Sequence, residues 1–567
     1  MSTRTKDEIQ TEYLRWQNTV NDKALQEQLS SMVDNKQSIE DAFYKNLSFG
    51  TGGLRGELGV GTNRMNIYTV GKASQGLANY VNTNFPENKR KIAIAYDSRI
   101  YSDVFAKMAA KVFAANGIKA YLYSELMPTP MLSFAVRQLD CAAGIVVTAS
   151  HNPSKYNGYK VYGPDGCQIT TEAAAAILAE IEQLDIFNDV KTADFDQLFT
   201  TGMIEYISEQ VITDFIESVK NESQLANDED IDRNVSIVYT PLNGAGLKPI
   251  LRALEESGYH NIHVVAEQSE PDGHFPTCPY PNPEIKEAMA LGIRDAKAQN
   301  ADLLLATDPD CDRVGIAVRD MHGEYQLLTG NETGLLLFDY ICSQRMKHNK
   351  MPENPVMIKT IVTMDLAERI AKHYGVRVIN VLTGFKFIGE QIGLLEAKGH
   401  EEDYIFGFEE SYGYLTGSYV RDKDGVNAAF MICEMFAYYQ TQGISLLDKL
   451  AEIYQTYGYC LNTLHSYEFE GAAGFEKMQT IMKEIRTNLN QIAGIAIDET
   501  KDYAKGIDGL PKSDVLKFFL SNGATVVVRP SGTEPKLKLY LSVLADNQEQ
   551  AAAFEQAIVD DMAKYFA

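Results

Sequence analysis

Residues 144–160 read GIVVTASHNPSKYNGYK, and the way this stretch ends points to the fold. An apolar, β-branched run stops at Thr148, Ala149, Ser150, His151, Asn152 and Pro153, and a polar loop then closes on Lys160. A short apolar run of this kind predicts a buried strand, and in open α/β sheets ligands bind beyond the carboxyl ends of the strands. The same form recurs at 91–98 (KIAIAYDS), 235–246 (VSIVYTPLNGAG), 302–310 (DLLLATDPD), 376–386 (VRVINVLTGFK) and 404–411 (YIFGFEES). Helical patterns alternate with these runs, such as SDVFAKMAAKVFAANG at 102–117 and MDLAERIAKHYG at 364–375, the second stopping at Gly375. Most of the runs end in loops of Gly, Ser, Asp, Glu or Lys. One such loop is only a turn, but several with complementary chemistry predict a site.

Strand, helix, strand in repetition predicts three α/β units with mixed, largely parallel sheets. After about residue 455 the pattern changes. GYCLNTLHSYEF, a helical stretch, GATVVVRPSGTEPKLKLYLSV at 523–543 and a final helix predict a smaller C-terminal α+β unit. The expected units are 1–205, 206–325, 326–455 and 456–567. The length of 567 residues fits such a division, and the hydrophobic fraction of 45% gives each unit a core. The formal net charge of −25 argues against nucleic acid and anionic membrane as partners, since both reward basic patches. An anionic substrate must therefore be held by local positive charge or by a metal. Seven cysteines (Cys141, Cys167, Cys278, Cys311, Cys342, Cys433, Cys460) show no CxxC pair and read as reduced thiols. The polar, helix-like N-terminus and the lack of a long uncharged apolar run predict a soluble, cytoplasmic protein.

The loops carry distinct chemistries. In TDPDCDR, Asp308, Asp310 and Asp312 alternate, so an extended segment projects all three carboxylates to one side. Three such oxygens call for a hard divalent cation, and Mg²⁺ suits them. An EF-hand loop requires Gly sixth and Glu twelfth, where Arg313 and Arg319 stand here. In VVVRPSGTEPKLKLY, Arg529 offers a planar fork, Ser531 and Thr533 offer hydroxyls, Gly532 exposes backbone N–H groups, and Lys536 and Lys538 add charge. Together these predict a phosphate clamp. GFEESYGY supplies Glu409 and Ser411, a carboxylate and a hydroxyl suited to sugar hydroxyls, and LTGFKFIG supplies Lys386. FGTGGLRGELGVG, with six glycines and Arg55, predicts a loop that approaches a ligand closely. Ser150 lacks an evident triad base, but as a carrier of a phosphoryl group it would share Mg²⁺ with the three aspartates. Lys160 is then a candidate acid or base.

These loops resemble those of the α-D-phosphohexomutases. TASHNPSKYNGYK is similar to their phosphoserine loop, DPDCDR to their metal loop, GFEESYGY to their sugar-binding loop and RPSGTEPKLKLY to their phosphate-binding loop, in the same order. The long N-terminal segment resembles the larger phosphoglucomutase and phosphopentomutase-like branch. The resemblance implies four units around a central cleft and reversible phosphate transfer between the 1- and 6-positions of a hexose, with a glucose 1,6-bisphosphate intermediate. It implies Ser150 as phosphoryl carrier and metal ligand, Asp308, Asp310 and Asp312 on Mg²⁺, and Glu409 and Ser411 on the sugar. It also implies Arg529, Ser531, Gly532, Thr533 and Lys536 on the distal phosphate, and Arg55, His151, Lys160, Arg313 and Lys386 around the reacting group. The expected activity is on glucose phosphates. Mannose or pentose phosphates are the alternative, and the oligomeric state, monomer or homodimer, stays open.

Two other readings compete. An apolar strand followed by Asp-x-Asp also describes haloacid-dehalogenase-type enzymes, in which the first Asp is the nucleophile; Thr or Val usually follows, and Asp312 stands there instead. A non-catalytic sugar-phosphate-binding protein would not need Ser150 and all three aspartates.

Overall fold

A computed structural model describes residues 4–50, 52–226, 229–469, 471–531 and 536–566. Three short helices, Lys6–Thr19, Lys23–Ser31 and Lys36–Phe43, open the chain. The first starts at a capping box in which Thr5 and Glu8 satisfy each other's backbone N–H groups. Tyr13, Trp16 and Phe43 bury its apolar side in a small core of its own.

Four sheets follow. The first runs, in spatial order, Phe49–Gly50, Gly53–Glu57, Tyr156–Tyr162, Ala143–Val147, Lys91–Tyr96, Lys119–Leu122 and Ile204–Tyr206. Its last four strands are mutually parallel, whereas Gly53–Glu57, Tyr156–Tyr162 and Ala143–Val147 pair antiparallel. The second sheet places Ile237–Thr240 parallel to both Leu303–Thr307 and Ile262–Val264, with an antiparallel extension through Val314–Arg319 and Tyr325–Leu328. In the third, Val356–Thr360 lies parallel to Arg377–Val381 and Tyr404–Glu409, and Gly413–Leu415 closes the edge antiparallel. The fourth is wholly antiparallel and carries the helices Gly471–Asn488 and Gln548–Phe566. The architecture is thus α/β with mixed sheets and a C-terminal α+β part.

Two sequence expectations change here. The segment read as a polar loop closing on Lys160 is mostly strand, Tyr156–Tyr162, because Tyr159, Val161 and Tyr162 are fully buried and draw it into the sheet. The glycine-rich stretch at 49–61 likewise contains strands, Phe49–Gly50 and Gly53–Glu57, with Arg55 in the second. Gly53 has φ +127°, and a Cβ there would collide with the carbonyl of Tyr159, so this glycine permits strand pairing rather than ligand approach.

One continuous apolar core joins the first three sheets, from Met131 and Phe134 through Tyr239 and Leu305 to Ile358 and Phe406. The fourth sheet has a separate core around Met478, Phe518, Val526 and Leu539. It meets the third through a small apolar seam, in which Ile361, Val362 and Leu382 face Tyr503, Val515, Val527 and Tyr540. Beside the seam lies a buried ionic cluster. Asp365 accepts from Lys359 (2.8 Å), Lys517 (2.8 Å) and Thr525 (2.8 Å). All seven cysteines are buried free thiols. Among the described residues no helix is long and apolar enough to cross a membrane.

Candidate active site

The strand Ala143–Val147 ends against its antiparallel neighbour, and the chain turns sharply at Ser150, whose φ of 50° is left-handed. The Thr148 hydroxyl accepts the Ser150 N–H at 2.8 Å and fixes that turn. The Ser150 hydroxyl donates to Asp308 Oδ2 at 2.9 Å and lies 3.2 Å from His151 Nδ1. Ser150 is only 4% exposed, yet it lines a cleft of about 580 Å³. The expected partnership of serine and acidic loop is therefore a direct contact between the first and second sheets.

The acidic loop differs from its expected form. It is a turn rather than an extended segment: Cys311 has φ 49° and its N–H donates to the Asp308 carbonyl at 2.9 Å. Curling, not strand alternation, brings Asp308, Asp310 and Asp312 together, with one potential ligand oxygen from each within 4.8 Å of the others. All three are buried. Asp308 Oδ1 accepts the N–H groups of Asp312 and Arg313, both at 3.1 Å. Asp310 Oδ2 accepts from Lys160 (2.7 Å) and Thr129 (2.9 Å), and Asp312 Oδ2 pairs with Lys423 at 2.9 Å. Asp310 Oδ1 and Asp312 Oδ1, both buried, have no hydrogen-bond partner among the described residues. Buried carboxylate oxygens left over in a converging set are what a hard cation takes, so the trio fits a divalent metal. Burial, then Asp312 and Asp310, push Asp308 well above the usual carboxylate range. Burial pushes Asp310 up as well, but Lys160 outweighs it and holds this carboxyl low.

Lys160 reaches the trio from the strand Tyr156–Tyr162, and burial, which lowers its pKa, is outweighed by Asp310 and Asp312. Arg55 stands across that strand pair opposite Gly158 and donates to the Asn152 side chain at 3.2 Å. His151 is pushed down to about 2 by burial and by Arg313 and Arg55, so it is a neutral imidazole. Arg313 donates to the Ser411 carbonyl at 3.2 Å and pairs with Glu284. Lys386 occupies the first turn of the helix Phe385–Glu396, and burial lowers its pKa. Glu409 ends the strand Tyr404–Glu409, and burial pushes it up to about 7.

From the fourth sheet, Arg529 sits opposite Lys538 and reaches Tyr540 at 3.4 Å. Arg529, Lys538 and Tyr540 all line the cleft. The Ser531 N–H donates to the Lys536 carbonyl at 2.7 Å, and the Lys536 ammonium pairs with Glu468 at 2.8 Å. Gly532 and Thr533 lie outside the described residues. Thus Ser150, His151, Arg55, Lys160, Arg313, Lys386, Glu409, Ser411 and Arg529 line one cleft, with the aspartates in contact with its floor.

Sequence reasoning passed over three contributors. Lys423, in YVRDKDG, is positioned by Asp424, which caps the helix Gly425–Thr441 with bonds to Val426 (2.8 Å) and Asn427 (3.0 Å). Thr129 and Arg99 act on the acidic loop and the serine loop from behind. The only sequence signal available for them was position just after a strand or at a helix start.

Comparison with known proteins gives four consecutive family matches along the chain. The chain matches Phosphoglucomutase/phosphomannomutase, alpha/beta/alpha domain I at 46–186, domain II at 213–323, domain III at 329–457 and the C-terminal domain at 478–561. It is 36% identical over 549 residues to a phosphoglucomutase of Staphylococcus saprophyticus, covering 94% of this chain and 97% of that one. It is 35% identical over 556 residues to a phosphoglucomutase of Staphylococcus aureus, covering 96% and 98%. Among solved structures, it superposes with a TM-score of 0.68 on parafusin of Paramecium, described as a phosphoglucomutase in an open form (17% identity, 92% and 96% covered). A phosphoglucomutase/phosphomannomutase family protein of Burkholderia thailandensis gives 0.66 (18% identity, 91% and 96% covered). At these identities the superpositions speak for the fold.

Proposed function

The chain belongs to the phosphoglucomutase/phosphomannomutase family, and on that premise we propose that it interconverts α-D-glucose 1-phosphate and glucose 6-phosphate. The observation that carries this reading is the Ser150 hydroxyl, 2.9 Å from Asp308 in a cleft lined by seven cationic side chains. These are Arg55, Lys160, Arg313, Lys386, Lys423, Arg529 and Lys538. In a protein of net charge −25 they give one place where a doubly anionic sugar is attracted.

In this reading Ser150 carries the phosphoryl group. Asp308, Asp310 and Asp312, with a phosphoryl oxygen, would hold Mg²⁺, which when bound neutralises charge on the group in transfer. Transfer breaks the bond from phosphorus to Ser150 Oγ and forms one to a sugar hydroxyl, whose proton goes to a base in the cleft. Lys160, His151 and Lys386 border the cleft and are the candidates for that base. The glucose 1,6-bisphosphate so formed turns over and returns its other phosphoryl group to Ser150. Arg529, Ser531, Gly532, Thr533 and Lys536 make the clamp for whichever phosphate is not reacting, and Glu409 and Ser411 hold sugar hydroxyls. Units divided near residues 205, 325 and 455 each contribute one of these loops.

Ser150→Ala tests the reading. Turnover in a coupled assay is expected to vanish, while thermal stability falls by only about 1 kcal/mol for the lost hydrogen bond. Full activity would overturn the serine assignment. Phosphoryl label that maps to Asp308 and is released by hydroxylamine would move the carrier role to a carboxylate. A panel of glucose, mannose and pentose 1-phosphates is expected to give the highest kcat/KM for glucose.

A further inference from the structure

Ser150 holds a left-handed backbone conformation without being glycine, in a loop of residues 150–156 that has no regular strand pairing until Tyr156. What holds that loop is Arg99, which is 3% exposed. All five guanidinium N–H groups donate to its carbonyls. Nε reaches Ser150 O at 3.2 Å, and Nη1 reaches Pro153 O and Tyr156 O, each at 3.0 Å. Nη2 donates to Ser150 O and Asn152 O. Four carbonyls of one loop therefore converge on one planar fork, a set that a lysine ammonium with three donors on a flexible stem cannot reproduce.

The fork is itself fixed from two sides. Asp97 lies 3.6 Å from Nε and accepts the Arg99 N–H at 3.0 Å. From the second unit, the Phe275 ring covers the guanidinium at 5.1 Å. Gly273 brings that segment so close that a Cβ on it would collide with the backbone N of Ile100. Arg99 touches none of the groups placed around the reacting phosphoryl except through backbone carbonyls.

We propose that Arg99 is the positioning residue of the phosphoryl carrier: it locks the backbone of residues 150–156 so that Ser150 Oγ stays aimed at Asp308 in both half-reactions. The inference rests on Ser150 being the carrier, and it adds a cause for the aim of that oxygen. Two contacts from different units meet at one guanidinium, so the serine loop is held relative to the acidic loop and not merely within its own sheet.

The test uses the full-length protein and Arg99→Lys, with glucose 1,6-bisphosphate as phosphoryl donor. The unmodified protein and R99K are both expected to take label on Ser150. Transfer from R99K to glucose 1-phosphate, followed by rapid quench, is expected to slow ~100-fold with KM changed less than about threefold, the signature of a misaimed nucleophile. The phosphoserine ³¹P resonance is expected to broaden or split in R99K. Label on Ser150 with wild-type transfer rate in R99K overturns this inference alone, as does a loss carried wholly by KM. No label on Ser150 in the unmodified protein overturns the carrier reading itself. If circular dichroism shows R99K unfolded, Phe275→Leu replaces it. A smaller fall in kcat at constant KM is then expected, and an unchanged kcat overturns the proposal.

Discussion

Thr129 shows how far one hydroxyl can reach. Its side chain donates to Asp310 Oδ2 at 2.9 Å and its N–H to the Asp310 carbonyl, also at 2.9 Å. With Lys160 on the same Oδ2, the other oxygen of Asp310 is turned inward with no protein partner among the described residues. Thr129→Val keeps the shape and removes the hydroxyl bond. It is expected to raise the Mg²⁺ concentration for half-maximal activity by ~10- to 100-fold while leaving the fold intact, as partners behind metal ligands usually do. Titration of activity with Mg²⁺ checks this. At this scale the sequence was partly legible. Asp308, Asp310 and Asp312 announce themselves because three close carboxylates need a counter-charge, whereas their curled geometry depends on the left-handed Cys311, which its residue type does not signal. Arg99 and Thr129 leave no comparable mark, because their partners are backbone carbonyls or a residue 181 positions away.

Among elements, the strand Tyr156–Tyr162 does most to assemble the site, since it carries Lys160 between two antiparallel neighbours. Gly158 makes that possible. A Cβ there would collide with the Thr148 carbonyl and come within 2.9 Å of the Leu54 carbonyl. Gly158→Ala is therefore expected to cost about 1–3 kcal/mol, as overpacking does, and to lower kcat by displacing Lys160. Thermal melts and steady-state kinetics report the two effects separately. The apolar runs at 91–98, 144–150, 302–310 and 404–411 were legible as strands because burial on both faces leaves them uniformly hydrophobic. The helix ending at Gly375 was legible too, and its φ of 70° is the reason. YNGYKVY was not, because Asn, Gly and Lys are turn residues by composition. Only the neighbouring strands, one from residues 53–57, reveal it as sheet.

For the whole molecule, the Asp365 cluster sets how the C-terminal part is attached. Asp365→Asn leaves Lys359 and Lys517 buried beside a neutral amide, and breaking a buried pair in this way costs about 3–5 kcal/mol. Burial pushes the Asp365 carboxyl up, but Lys359 and Lys517 outweigh it and hold it below the usual range. A depressed folded pKa gives stability that is present above the unfolded value and lost as pH falls toward the folded one. The stability gap between wild type and D365N is therefore expected in full at pH 7 and to shrink below about pH 4. Melts at several pH values test it, and a gap that widens in acid would refute the assignment. The α/β alternation and the change of pattern after residue 455 were legible, whereas the seam between units was not, because Lys517 and Asp365 stand 152 residues apart. That seam also limits modular exchange. Grafting a relative's C-terminal part onto this chain would bring compatible strands yet still fail unless the donor supplies an ammonium where Lys517 stands and a hydroxyl where Thr525 stands. Recombination at this boundary is filtered by two polar side-chain groups rather than by overall similarity.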